Sequence, residues 1–160
     1  MGFQDIVQAA LEPYVAGRTV LDVGGYDGGQ AKWALSHGAT EAVCADSGQW
    51  EQYGWSAPNH HPGVIYWKGD ILNWEPPYDI VICQNVIYHQ RNPWQFLEKM
   101  RALTRERMAL STTFIDGAVP HWAVYRPGEG HSRSRTVAWR PTPLGLTTLL
   151  EAVGFGGVTE

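Results

Sequence analysis

The sequence predicts an α/β domain, with a doubly wound, mostly parallel sheet flanked by helices. Three features predict it. Short apolar, β-branched runs alternate with segments of helical period. The fourth run, Tyr78-Asp79-Ile80-Val81-Ile82-Cys83, is apolar almost throughout, as a central strand covered on both faces requires. The first run ends in glycines that lead straight into a helix, and in doubly wound sheets ligands sit beyond the carboxyl ends of the strands.

The elements follow in order. Phe3, Ile6, Val7, Ala10 and Leu11 mark one face of a helix over residues 2–12, and Pro13 is expected to end it. Residues 18–23 form a buried strand. Residues 29–37 form a helix closed by Gly38, a favourable residue just past a helix end. Residues 41–45, 64–67 and 78–83 are the second to fourth strands. Asn92-Pro93 opens a helix, because asparagine caps free N–H groups and proline at the first helical position has no N–H to leave unpaired. Its apolar stripe is Trp94, Leu97, Met100 and Leu103 or Thr104. Residues 108–114 are a fifth strand. Thr142-Pro143 repeats the capping device, Leu146, Leu149, Leu150 and Val153 form the stripe, and Gly154 ends the helix. Residues 157–159 would begin a sixth strand, so the C-terminal strands are expected to be short or missing.

One domain over residues 1–160 is expected, with 117–140 as a lid or loop insertion. That segment has no period and carries Arg126, Arg133, Arg135 and Arg140 against Glu129. Two readings of it stand: a lid that recognises a phosphate or carboxylate through arginine, or a solvated loop.

Composition excludes several classes. A hydrophobic fraction of 44% with 18% charged residues excludes a disordered tail. No apolar run approaches the ~20 residues of a membrane span. The N-terminal residues lack a secretory pattern, and two cysteines make no disulfide framework, so a cytoplasmic protein is expected. A net charge of −4 argues against a broad nucleic-acid footprint. Cys44 and Cys83 read as buried core thiols. His60-His61 has no cysteine or carboxylate at ligand spacing, so no metal site is expected.

The strongest local signal is Val20-Leu21-Asp22-Val23-Gly24-Gly25-Tyr26-Asp27-Gly28-Gly29. Glycines there permit positive φ and let a ligand approach the backbone. Asp46 stands 22 positions after Gly24, at the end of the second strand, where a carboxylate can accept from both hydroxyls of a ribose. The dinucleotide pattern G-x-G-x-x-G fails, because Tyr26 occupies its middle glycine position. No phosphate-binding G-x-x-x-x-G-K-[ST] loop is present either.

Leu21-Asp22-Val23-Gly24 with Gly28, then Asp46, then Gly69-Asp70-Ile71, resembles the class I S-adenosylmethionine-dependent methyltransferases. The variant loop Gly25-Tyr26-Asp27-Gly28 is similar to that of the tRNA wobble-uridine methyltransferase-like branch. Two further blocks also resemble that branch: residues 78–93, with Val86-Ile87-Tyr88-His89 ahead of Pro93, and residues 139–155, with Trp139, Pro141-Thr142 and Gly154-Phe155. The resemblance implies a Rossmann-like fold and S-adenosyl-L-methionine as cofactor. It implies that Gly24, Gly25 and Tyr26 pack against the methionine part, that Asp46 beside Ser47 holds the ribose, and that Asp70 and Ile71 contact the adenine. Gln84 and Asn85 would end the fourth strand beside the methionine moiety.

Each role has a plainer counterpart. Asp22 either orients the loop and contacts the cofactor amine through water, or is a buried carboxylate satisfied by turn N–H groups. Asp46 could cap a helix, and Asp70 could be a turn residue. Tyr88 and His89 are the catalytic candidates, since a histidine near neutrality can take a proton from an acceptor; the plainer reading has His89 bonding a loop carbonyl.

The expected activity is transfer of a methyl group to an oxygen or nitrogen of a small-molecule acceptor. The alternatives are an RNA-modifying methyltransferase and a non-catalytic cofactor-binding subunit. A homo-oligomer or a partner chain covering the C-terminal sheet edge is a further expectation. Trp33 and Trp67 read as packing residues. Trp50, Trp55, Trp74, Trp94, Trp122 and Trp139 fall after strand ends, on the side where ligands bind.

Overall fold

The structure, a computed structural model, describes residues 3–49, 56, 58–125 and 138–159. The expectations for Trp50, Trp55, Arg126, Glu129, Arg133, Arg135 and the Phe3 side chain lie outside the described residues. Two compact units divide the chain: Met1–Gln84 with Leu103–Leu110, and Asn85–Ala102 with Ser111–Glu160.

The first unit carries the main sheet. Its strands are β1 (Thr19–Val23), β2 (Glu41–Asp46), β3 (Ile65–Lys68), β4 (Tyr78–Gln84) and β5 (Thr104–Ser111), in the order β3-β2-β1-β4-β5. β1 pairs in parallel with both β2 and β4, and β2 pairs in parallel with β3. The order reverses direction between β1 and β4, and in such sheets that switch point opens a crevice at the carboxyl ends. The apolar run of β4 behaves as its sequence requires: Ile80, Val81, Ile82 and Cys83 are all fully buried. The described strands and their flanking helices are the doubly wound α/β fold expected.

Helix α1 (Phe3–Val15) runs through Pro13, where the sequence predicted a stop at residue 12. Its buried face is Val7, Leu11 and Val15, while Ile6 is 54% exposed and Ala10 also faces solvent. Fully buried Val15 anchors the last turn. Both Pro13 and Ala9 are exposed, so the carbonyl that Pro13 leaves unbonded can turn to water. Helix α2 (Gly29–Ser36) follows the glycine loop, and Gly38 (φ +89°) closes it as expected.

β5 starts four residues before the expected strand, directly after a helix that ends at Leu103. The polar run Arg105-Glu106-Arg107 hides it. All three side chains are exposed on an edge strand and have partners: Arg105 Nη1 lies 3.4 Å from Asp79 Oδ1, Arg18 Nε lies 2.9 Å from Glu106 Oε2, and the Arg107 guanidinium stands 3.6 Å above the Tyr14 ring. Charged side chains protect an edge strand from pairing with another chain.

The second unit holds α3 (Pro93–Leu103) up to Ala102, the antiparallel pair β6 (Trp122–Tyr125) and β7 (Ala138–Pro141), and α4 (Pro143–Ala152). The segment 117–140, read as a lid or a solvated loop, contains strand at residues 122–125 and from residue 138 onward. Asn92 Oδ1 accepts from the Gln95 N–H at 3.1 Å, so the predicted cap is present. Phe96, Leu97 and Met100 are the buried face of α3, but Trp94 is 48% exposed and leaves the stripe. Residues 157–159 form no strand, and Gly157 has φ +66°. Among the described residues, no helix is long and apolar enough to cross a membrane.

Thr142 ties this unit together. Its Oγ1 accepts from the N–H groups of Gly145 (3.1 Å) and His121 (3.1 Å) and donates to the Val119 carbonyl (2.8 Å). The residue is 1% exposed. Thr142→Val keeps the shape and strands all three partners, so it should lower stability by about 2 kcal/mol. Urea unfolding measures this; a loss below about 0.5 kcal/mol would contradict the assigned bonds.

Candidate functional site

Four backbone N–H groups bond the end of β2, two of them from the glycine loop after β1. Gly24 N–H donates to the Ala45 carbonyl (2.7 Å), and Tyr26 N–H donates to Asp46 Oδ2 (3.1 Å). Gly48 N–H donates to Asp46 Oδ1 (2.8 Å), and Gly69 N–H donates to the Asp46 carbonyl (2.9 Å). Asp46 therefore orders three loops from one strand end. Each carboxylate oxygen takes one N–H and keeps a further lone pair, and the residue is only half-buried.

The loop conformation demands its residues. Gly24 (φ +67°) and Gly28 (φ +78°) are left-handed, and so is Tyr26 (φ +52°). A side chain at Gly25 would overlap the Asp22 carboxylate. Tyr26 is held there by Asp46 and by its own hydroxyl, which donates to the Ser56 carbonyl at 2.7 Å. Among the described residues, Tyr26 and Asn85 are the non-glycine positions with positive φ, and such strain concentrates at ligand sites.

Asp22 is buried and reaches from β1 to the start of α2, where Oδ2 accepts the Ala31 N–H at 3.3 Å. It thus meets free N–H groups of a helix N-terminus. Burial pushes its pKa from 3.8 up to about 7; the N–H groups of Ala31 and Gln30 act downward, while the nearby carboxylates Asp27 and Asp46 act upward. A carboxyl with a raised folded-state pKa contributes stability that is fully present below its unfolded value and is lost as the pH rises through the folded one. Wild-type stability should therefore fall relative to Asp22→Asn between about pH 4 and about pH 7. Thermal melts across that range test this, and parallel curves would contradict it.

Asp70 is exposed and caps the short 3-10 turn Ile71–Asn73 by accepting the Leu72 N–H on Oδ1 (3.0 Å). Ile71 is 8% exposed. Ser47 is exposed beside Asp46. Gln84, at the end of β4, accepts on Oε1 from Gln30 Nε2 (2.8 Å), and Gln30 in turn accepts from Gln8 Nε2 (3.3 Å). This amide chain turns the Gln84 NH₂ away from Gln30.

Sequence reasoning missed Gln30, which carries no motif. It also missed Tyr66, whose hydroxyl donates to the Asp27 carbonyl (2.6 Å) and accepts from the His61 N–H (2.7 Å). The turn in which Asp27 Oδ1 accepts the Gly29 N–H at 3.1 Å was readable from an aspartate two residues before a helix start. His60 stacks on Tyr66 with centroids 3.7 Å apart. Trp74 is engaged in packing, edge-on to Trp67 at 5.0 Å and 6.2 Å from Tyr78. Burial pushes the thiols of Cys44 and Cys83 up, as core cysteines require.

Asn85, Tyr88 and His89 belong to the second unit. Asn85 (φ +59°) donates its N–H to the Ser111 carbonyl at 2.9 Å. Tyr88 and His89 lie in the 3-10 turn Ile87–His89, with ring centroids 4.1 Å apart, and β7 packs on this turn. Burial lowers the His89 pKa below 6.5, which favours the neutral imidazole. Burial raises the Tyr88 pKa, with Arg140 acting in the opposite sense, so the phenol keeps its proton.

A family model described as a methyltransferase domain matches residues 2–160. A tRNA U34 carboxymethyltransferase of Idiomarina loihiensis is 28% identical over 159 residues, covering 91% of this chain and 47% of that protein. The chain spans about half the length of the curated relatives it matches. A Burkholderia thailandensis 1,6-didemethyltoxoflavin-N1-methyltransferase structure, with bound 1,6-didemethyltoxoflavin and S-adenosylhomocysteine, superposes with a TM-score of 0.71 at 20% identity, covering 98% of this chain and 67% of that one. An S-adenosylmethionine-dependent methyltransferase from Mesorhizobium loti gives 0.68 at 18% identity, covering 95% and 80%. At those identities the likeness is one of fold.

Proposed function

Because the chain belongs to the methyltransferase-domain family, we propose that its glycine loop binds S-adenosyl-L-methionine and that it transfers a one-carbon group to an RNA nucleoside. The observation that carries the cofactor reading is Asp46, a half-buried carboxylate with a spare lone pair on each oxygen, tied to the left-handed glycine loop. The residues fit the group. Hydroxyls of a ribose can occupy the spare positions on Asp46. Asp22, Asp27 and Asp46 interact repulsively, which favours a ligand bearing positive charge. Gly25 has no room for a side chain, because the Asp22 carboxylate fills that space. Tyr26 in the left-handed region takes the place that a dinucleotide site reserves for glycine.

When bound, S-adenosylmethionine supplies an electrophilic methyl whose bond to sulfur breaks as the bond to the acceptor forms. Asp46 would hold the ribose through its spare lone pairs. The Gln30–Gln84 chain fixes the end of β4. We assign His89, whose burial favours the neutral imidazole, to take the acceptor's proton, and Tyr88 to hold the acceptor by a hydrogen bond. Placement supplies much of the rate in such transfers.

For the acceptor, the charge of −4 favours a small molecule. The name carried by the curated relatives, tRNA U34 carboxymethyltransferase, favours RNA, and RNA is the reading we take. Methyl-tritiated S-adenosylmethionine incubated with the chain and bulk tRNA should label the RNA, and RNA binding should weaken steeply with added salt. Label found only in small molecules would reverse the acceptor assignment. His89→Ala should slow transfer by about 100-fold with cofactor binding unchanged; an unchanged rate would remove His89 from the chemistry.

A further inference from the structure

The second unit contains an open cleft of about 650 Å³ that none of the roles above uses. Its size falls in the range of small-ligand sites. Three tryptophans, Trp94, Trp122 and Trp139, form its walls, with Leu149 of α4. Two of the rings are fixed by their own N–H groups. Trp122 Nε1 donates to the Gly145 carbonyl at 3.1 Å, and Trp94 Nε1 donates to Glu98 Oε1 at 2.8 Å. Trp122 and Trp139 meet edge to face with centroids 6.5 Å apart. Two of the three rings are therefore held before binding, which favours affinity.

Among the described residues, Arg91 lines the cleft and no carboxylate does. Arg91 is exposed and makes no hydrogen bond or ion pair among the described residues. His121 and Thr148 add polar groups on the same lining.

We propose that this cleft binds a planar aromatic ring bearing an anionic group, the ring stacked on the tryptophans and the anion held by Arg91. Aromatic side chains stack on flat rings of any kind, and arginine matches carboxylate and phosphate by paired hydrogen bonds. An aromatic acid and a mononucleotide share this chemistry. The proposal does not depend on methyl transfer: its test contains no cofactor, so a failed S-adenosylhomocysteine titration leaves it standing.

The test is calorimetric titration of the full chain with 4-hydroxybenzoate and with uridine 5′-monophosphate, each beside its uncharged counterpart, 4-hydroxybenzamide and uridine. At least one anion should bind, about tenfold more tightly than its neutral counterpart. Arg91→Gln should erase that difference. Thr148→Trp, which fills the cleft from an exposed position on α4, should abolish binding, with circular dichroism confirming the fold. Whichever anion binds identifies the source, aromatic acid or nucleotide. Binding of neither anion, equal binding of charged and neutral probes, or binding untouched by Arg91→Gln overturns the proposal. If Thr148→Trp does not fold, the comparison of charged with neutral probes on wild type and Arg91→Gln decides.

Discussion

Asp46→Ala should weaken S-adenosylhomocysteine binding by roughly 100-fold, about 3 kcal/mol. The loss has two parts. The ribose hydroxyls lose a charged acceptor, and the N–H groups of Tyr26 and Gly48 lose the carboxylate that orients them. The second part should appear separately as a stability loss of about 1 kcal/mol, because both N–H groups lie near solvent and water replaces the acceptor in part. Asp46→Asn keeps one acceptor oxygen and should fall between. Calorimetric titration of the three proteins measures the series; an unchanged dissociation constant in Asp46→Ala would remove the ribose role.

Gly25→Ala should lower stability by about 3 kcal/mol and remove cofactor binding with it. The reason is collision. A Cβ at this position overlaps the carboxylate of Asp22, and that carboxylate is buried against the start of α2 and has nowhere to go. Gly17 is the control. It has φ +75° and open space around the position of a Cβ, so Gly17→Ala meets only the backbone cost, about 1 kcal/mol. Equal effects at the two glycines, read by denaturant unfolding, would contradict the collision at Gly25.

The sheet was legible because its strands are covered. A strand such as β4, buried on both faces, must be apolar at nearly every position, and Ile80, Val81, Ile82 and Cys83 advertise it. The caps at Asn92 and Thr142 were legible for a local reason: each satisfies N–H groups within three residues of itself. Elements that depend on distant partners were not. The start of β5 reads as a loop because Arg105, Glu106 and Arg107 find their partners on Asp79, Arg18 and Tyr14. The β6–β7 pair joins segments on either side of a stretch rich in glycine, proline and arginine, and its register is set across the chain. Pro13 was read as a stop because the burial of Val15 beyond it is a tertiary fact.

The candidate site shows the same division. Asp46 was found from its spacing to the glycine loop. Its role as the acceptor for two loops at once needed coordinates. Gln30 was invisible, since a helix glutamine becomes informative only when its amide is seen on Gln84. The tryptophans divided as well. Trp74 turned out to pack on Trp67, whereas Trp94, Trp122 and Trp139 line one cleft.

The central claim is that the glycine loop and Asp46 hold S-adenosylmethionine. Titrating S-adenosylhomocysteine into the wild-type chain, with NADH in a parallel run, tests it most directly. Saturable one-to-one binding of S-adenosylhomocysteine and no heat from NADH is the predicted result. No binding of S-adenosylhomocysteine, or binding of NADH in its place, would contradict it.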